Sequence, residues 1–365
     1  MPLKIERALL VFLAAAAFRC AADTAWTVLP GTSASGRMLL QSCRDHSKIN
    51  SEAVAWTECG IPALTVHDVE QAAFAGINAK GVAVVQMEGD PCRDQNPDLS
   101  PAVLTGSRGL VTILGECATA REAVARLRAA KFYGSWIFLI ADAKEAHVAE
   151  CSPGHFSTWQ VPKNFCVYSG SWKLPGMDDA SIADAKRASC LYQKEWGVRT
   201  ALVRAMKGNR GKITVGNSVA VSRQSIADCR KFVDRKTDKD APPVTAAVGD
   251  KYACAAALFE IDAEYPAVLS CAYLAAGHPR KVLYFPLPLG AAEQILKDKN
   301  FLRRIRAARY SPELEREFSA ALAQARTEAK KHLAQGDEAA ARRILAETVG
   351  RNLAKLAERH GGHEK

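Results

Sequence analysis

The sequence predicts an α+β fold, a sheet-rich body followed by a pair of helices. Three observations carry this. Short β-favouring runs return as strand, turn, strand at residues 23–46, 74–85 and 136–151. Helical periodicity interrupts them only locally, at 109–132 and 180–206. Beyond Ser311 the pattern is helical alone.

In chain order, residues 25–29 carry Trp26, Thr27 and Val28, and Pro30, Gly31, Ser33, Ser35 and Gly36 supply a turn. Residues 37–42 run back and end in Cys43, Arg44 and Asp45. Residues 53–59 and 62–66 are short β-like runs on either side of Gly60. Residues 74–85 form a hairpin whose Gly81 supplies the positive φ of the turn. A polar loop follows over 90–101. In 109–132, Leu110, Ile113, Leu114 and Cys117 make one apolar stripe and Ala123, Val124 and Leu127 another, with Thr119 as N-cap of the second. Residues 136–141 read as a buried strand and 147–151 as an alternating one. Asp142, at the mouth of the turn between them, is expected to bond nearby backbone N–H groups. Residues 231–243 read as a surface loop, and 252–258 and 267–275 as paired strands. Ser311, Pro312 and Glu313 start a helix whose stripe is Leu314, Phe318, Leu322, Ala325, Ala329 and Leu333. Gln335, Gly336 and Asp337 break it, and Ile344, Val349, Leu353 and Leu356 mark a second helix. The two form a helical hairpin without sustained heptads.

With 365 residues, 48% of them hydrophobic and 24% charged, the chain can bury one large core or two modest ones. The net charge of +10 is spread along the chain, and no nucleic-acid motif accompanies it, so no nucleic-acid partner is expected. Residues 207–212 hint at a phosphate loop, but the glycines are too close and neither Ser nor Thr follows Lys212. Residues 1–22 read as a secretory leader. Lys4 and Arg7 precede an apolar run over 8–18 that is too short to span a bilayer. Cleavage after Ala22, with Cys20 and Ala22 at the small-residue positions, would leave Asp23 first and the protein secreted or periplasmic, off the membrane. Acylation at Cys20 is disfavoured by Arg19 before it. Ten cysteines remain after the leader, an even number that in an oxidising compartment leads one to expect disulfides. No Cys/His spacing suits zinc, so neither a metal nor a cofactor is expected.

The opening hairpin, directly after a leader, resembles the first hairpin of the N-terminal-nucleophile amide hydrolases, in the branch of choloylglycine hydrolases, penicillin acyltransferases and linear-amide hydrolases. In that family it begins with a catalytic Cys and ends in Asn-Arg-Asp or Asn-Trp-Asp. The hairpin over 74–85 resembles the family's Gly-Met-Asn-Glu-Lys-Gly-Leu signature. Residues 140–153 resemble its Asp-Ala-x-Gly turn, and 278–290 its late Pro-Arg…Pro-x-Pro-Leu-Gly segment. Residues 166–177 resemble its Asn-His-Phe/Tyr element followed by Leu-Pro-Gly-Met, here Leu174 to Met177. The resemblance spans roughly residues 23–290. It implies a four-layer αββα sandwich, with a leader at 1–22, the hydrolase-like domain at 23–300 and the helical hairpin at 301–365.

By resemblance, the family mechanism uses the N-terminal thiol as nucleophile, its α-amino group as base, Arg and Asp to orient them, and an Asn side chain with backbone N–H groups for the oxyanion. This sequence keeps Arg44 and Asp45, but Asp23 stands at the nucleophile and Gly170 at the oxyanion Asn. A carboxylate is a weak nucleophile towards an amide, and its mixed anhydride should revert before an amine departs. Cys20 lies an odd number of residues upstream, so it falls on the opposite face of an extended strand. Three readings stay open: a family member with lost or reduced catalysis, kept as a binding or structural protein; an active amide hydrolase or acyltransferase using Cys20 or another nucleophile; and a secreted scaffold acting through its C-terminal helices. The resemblance implies a small-molecule amide substrate or ligand in the cleft. The oligomeric state is not legible.

Overall fold

The opening hairpin is the centre of a six-stranded sheet. β1 (Thr24–Val28) pairs antiparallel with β2 (Met38–Asp45), Thr24 opposite Cys43. Strand β2 runs further than the sequence suggested, through Arg44 and Asp45. Its far side is paired along that whole length by β13 (Ala253–Ile261), with one bulge between Ala253 and Ala255. On the other side of β1 lies β12 (Phe165–Ser169), Thr24 opposite Ser169. β14 (Cys271–Ala275) and β15 (Phe285–Pro288) complete the antiparallel order β12-β1-β2-β13-β14-β15. This computed structural model describes residues 23–45, 53–57, 60–67, 72–93, 100, 102–177, 181, 185–231, 246–249 and 253–360.

A second antiparallel sheet has the order β11-β10-β9-β6-β5-β4-β3. Its strands are β3 (Ala53–Thr57), β4 (Ala63–His67), β5 (Ala73–Asn78), β6 (Ala83–Glu88), β9 (Trp136–Ala141), β10 (Ala146–Ser152) and β11 (His155–Gln160). Period-two alternation sorts its side chains between two cores. Ala83, Val85, Met87, Ile137, Leu139 and Val148 face the first sheet. Val84, Phe138, Ile140, Ala149 and Cys151 face α1 (Gly106–Glu116) and α2 (Ala120–Arg128). Alternation in β10 therefore does not mean a wet face, since both faces are covered and every residue of the strand is buried. Helix α1 sits so close that a Cβ on Gly76 would meet Leu114 Cδ1 at 2.4 Å and the Leu64 carbonyl at 2.8 Å. A short parallel pair, β7 (Val103–Leu104) and β8 (Lys131–Phe132), brackets the two helices, so the helical stretch ends before residue 131.

The outer face of the first sheet is covered by α3 (Ala185–Gly208), α4 (Val215–Ser222) and the C-terminal helices, which gives the four layers αββα. A short α5 (Ile226–Lys231) follows α4. Residues 266–269 form a helical turn, α6 (Pro266–Leu269), rather than the start of a strand, because Pro266 cannot donate to a ladder and suits the first helical position. After α7 (Leu289–Leu296) and α8 (Phe301–Ala307), α9 (Pro312–Ala334) and α10 (Glu338–His360) make the expected helical hairpin. Ser311 caps α9 by accepting from the Leu314 N–H. Leu314, Phe318, Leu322, Ala325 and Ala329 join the same hydrophobic cluster as the two sheets. Phe318 meets Phe285 edge-on with ring centres 5.8 Å apart, and Phe285 meets Phe301 in the same way.

No disulfide joins any two of the nine described cysteines, against the expectation from their number. Eight of them are buried on separate strands, helices and loops, where they pack as small apolar groups. Cys59, like residues 1–22 with Cys20 and residues 232–245, lies outside the described residues.

Because Phe318 binds the hairpin to the sheet, Phe318→Ala should lower the unfolding free energy by about 3–5 kcal/mol in one cooperative urea transition. A loss below about 1 kcal/mol, or a separate early transition, would show a hairpin energetically detached from the body.

Candidate functional site

The register of β1 with its two neighbours assembles the candidate residues. Since Thr24 faces Cys43 on one side and Ser169 on the other, one step further places Asp23 between Arg44 and Gly170. The structure thus brings Asp23, Arg44, Asp45 and Gly170 together, while Cys20 falls outside the described residues.

Asp23 is almost wholly buried, at 4% exposure. Both carboxylate oxygens are engaged. The Arg44 guanidinium donates through Nη1 to Oδ2, and the Asp45 backbone N–H donates to Oδ1 at 2.9 Å. Arg44 also lies over the Phe74 ring, 5.8 Å from its centre. The Asp45 carboxylate in turn receives the Lys194 ammonium from α3, and both partners are buried. Asp23, Arg44, Asp45 and Lys194 form a charge-neutral quartet, two of each sign. Burial alone would push Lys194 down, but the attraction and hydrogen bond of Asp45 outweigh it, with Asp23 adding to them. The ammonium is therefore held above its usual value.

Beside the quartet, the segment around Gly170 has most of its amides already bonded. Ser169 donates its N–H (2.7 Å) and hydroxyl (3.0 Å) to Glu195 Oε1 on α3, which also receives the Lys173 ammonium. Asp90 accepts from the Trp172 N–H at 3.0 Å and the Ser171 hydroxyl at 3.1 Å. Glu150, buried between the sheets, accepts from the Lys173 and Leu174 N–H groups and the Tyr168 hydroxyl. Burial keeps the Glu150 carboxyl above the usual range even so. Asp142, as expected, caps backbone, accepting from Lys144, Glu145 and Ala120.

Two thiols near this site, Cys43 and Cys166, are not activated. Cys43 is fully buried, and desolvation with the neighbouring Asp45 pushes its pKa well above the usual value. Burial likewise raises Cys166 to about 12. Among the described residues no group of His, Cys, Asp and Glu side chains could hold a metal ion, and no helix is long and apolar enough to cross a membrane.

Sequence reasoning missed Lys194, Glu195 and Lys173. On a helix, an adjacent Lys and Glu read as a solvated face. The signal that could have found them is the opposite charge that a buried Asp45 and the end of β12 require.

No family model matches the chain, and no curated protein matches it. Solved structures resemble it over about two thirds of its length. A mutant conjugated bile acid hydrolase from Clostridium perfringens gives a TM-score of 0.42 at 9% identity, over 68% of this chain and 88% of that one. Penicillin V acylase from Agrobacterium tumefaciens gives 0.38 at 13%, over 68% and 85%. The Caenorhabditis elegans ortholog of N-acylethanolamine-hydrolyzing acid amidase gives 0.37 at 10%, over 64% and 91%. Likeness of this degree transfers neither an activity nor a residue's role.

The raised Lys194 value fixes a pH dependence. Its stabilising effect is fully present below the unfolded lysine value of about 10.4 and is lost as pH rises through the higher folded value. The stability gap between wild type and Lys194→Met should therefore shrink as pH climbs beyond roughly 10.4. A gap unchanged across that range in thermal unfolding would contradict the pairing.

Proposed function

We propose that this chain is an exported N-terminal-nucleophile-hydrolase-like protein in which amide-bond chemistry is lost or much reduced, retained to bind a small amide-like molecule. The observation that carries the reading is the state of Asp23. Both its oxygens already accept, from Arg44 and from the Asp45 N–H, so the carboxylate is held within the buried quartet and cannot swing towards a substrate without breaking those bonds. Chemistry points the same way. A carboxylate attacking an amide forms a mixed anhydride while expelling a poor amine leaving group, and the reverse step is the faster one.

Stabilisation of an oxyanion is weakened too. Gly170 brings no side-chain donor, and Ser169, Trp172, Lys173 and Leu174 give their amides to Glu195, Asp90 and Glu150. Those carboxylates also place negative charge near where an oxyanion would form, which opposes it. The amide-like nature of the ligand rests on the sequence resemblance over residues 23–290.

The test is hydrolysis of penicillin V, a glycine-conjugated bile salt and an N-acyl amino acid by protein matured from the full chain. Wild type should show no turnover above buffer. Asp23→Cys should recover little, and Asp23→Cys with Gly170→Asn should exceed it, since one oxyanion donor is worth about 10²–10³ in rate. Robust wild-type hydrolysis that Asp23→Ala or Cys20→Ala abolishes would overturn the proposal in favour of an active enzyme.

A further inference from the structure

A second site lies on the outer face of the first sheet. There α4, the first two turns of α9 and the residues just before α9 surround a cavity of about 650 Å³, a size suited to a small organic ligand. No residue of the Asp23 quartet lines it. Its floor is buried Val219, Tyr273 and Tyr284. Its rim is set by a short backbone pairing, in which the Leu283 N–H donates to the Ala308 carbonyl at 3.2 Å and the Tyr310 N–H to the Lys281 carbonyl at 2.9 Å. That pairing holds Tyr310 over Arg223, the residue that ends α4. The Arg223 guanidinium lies 4.0 Å from the centre of the Tyr310 ring and 5.0 Å from that of Tyr284.

Arg223 is fully committed. Its Nε donates to the Pro279 carbonyl at 2.7 Å, its Nη2 to the Val282 carbonyl at 3.0 Å, and its Nη1 to Glu315 at 2.8 Å. Glu315 in turn accepts the Tyr284 N–H at 2.7 Å. Tyr310 thus rests on a fixed cation, and this ion pair asks for nothing further.

Two features of the cavity are left over. Three apolar residues that border it, Tyr310, Ala220 and Pro312, are exposed, and Tyr310 keeps 42% of its surface in water. Singly such exposure is ordinary, but here it is gathered around one hollow. The other feature is charge. The charged lining is Arg223, Glu315 and Arg316, and the first two neutralise each other. Exposed Arg316 donates through Nε to the Pro312 carbonyl at 3.2 Å and has no carboxylate partner among the described residues. Its Nη1 and Nη2 are unengaged, and they form an edge that can meet a carboxylate with two parallel hydrogen bonds. Lys281 and Arg309, on either side of the pairing that carries Tyr310, are also exposed cations without a carboxylate, so the rim is positive.

We propose that this cavity binds an aromatic monocarboxylate, its carboxylate on the Nη1 and Nη2 edge of Arg316 and its ring against Tyr310, Pro312 and Ala220. An aromatic body is favoured over an alkyl chain because a ring held flat on Arg223 offers an aromatic partner a gain beyond the area buried.

Titration calorimetry of the full chain with 1-naphthaleneacetate, and with 1-naphthaleneacetamide as the uncharged match, tests this. The acid should bind one to one and about fivefold more tightly than the amide, the preference expected of one solvent-accessible ion pair. Arg316→Gln, at an exposed position, should remove that preference by weakening the acid about fivefold while leaving the amide unchanged. Ala220→Trp, which fills the cavity from an exposed wall position, should abolish binding of both. Equal affinity for acid and amide, an acid affinity unchanged by Arg316→Gln, binding that survives Ala220→Trp, or no acid binding up to roughly millimolar concentration would overturn the proposal.

Discussion

Two carboxylates and two cations, nearly closed to solvent, meet where β1 begins, β2 ends and α3 packs beside them. Each ion alone would be costly in such a place, and removing one partner of a buried pair typically costs about 3–5 kcal/mol. The quartet therefore constrains everything around it. It fixes the end of the opening hairpin, because the Asp45 N–H and the Arg44 side chain both answer to Asp23. It fixes α3, because Lys194 must reach Asp45 while the next residue, Glu195, holds Ser169 and Lys173. Through Ser169 it fixes the segment that carries Gly170. Polar groups enclosed between two sheets and a helical layer have only one another as partners, and here the four charges pair with one another.

The same arrangement supports the proposal that nucleophilic catalysis is lost or reduced at this site. A catalytic carboxylate or thiol needs an unengaged lone pair, a base beside it and donors pointed at developing charge. At this position the polar groups that could serve bond one another. Asp23 is a bridge between two residues of β2, Cys43 is a buried thiol, and Asp90, Glu150 and Glu195 absorb the amides of the adjoining loop.

Much of this was legible in the sequence wherever short-range rules apply. Turn glycines and alternating residues located the hairpins, Thr119 and Ser311 marked helix starts, and the juxtaposition of Asp23, Arg44 and Gly170 follows from strand register once the hairpins pair. What escaped depends on layers. Alternation in β10 looks half-exposed until two helices cover its far side, and Lys194 looks solvated until α3 is laid on β12. An even cysteine number suggested bridges, but Cys43, Cys151 and Cys271 each fill a separate buried place. The edge strand β11 and the helical turn at Pro266 carry patterns too short or too polar to read.

The central claim is that the charges at residues 23, 44, 45 and 194 act as a structural unit. A double-mutant cycle on Asp45→Asn and Lys194→Met, followed by urea unfolding, measures it most directly. The account predicts that each single change is strongly destabilising and that the two together cost far less than their sum, with a coupling of roughly 2–3 kcal/mol. Additivity within about 0.5 kcal/mol would contradict it and return Asp45, and Asp23 with it, to the candidates for chemistry.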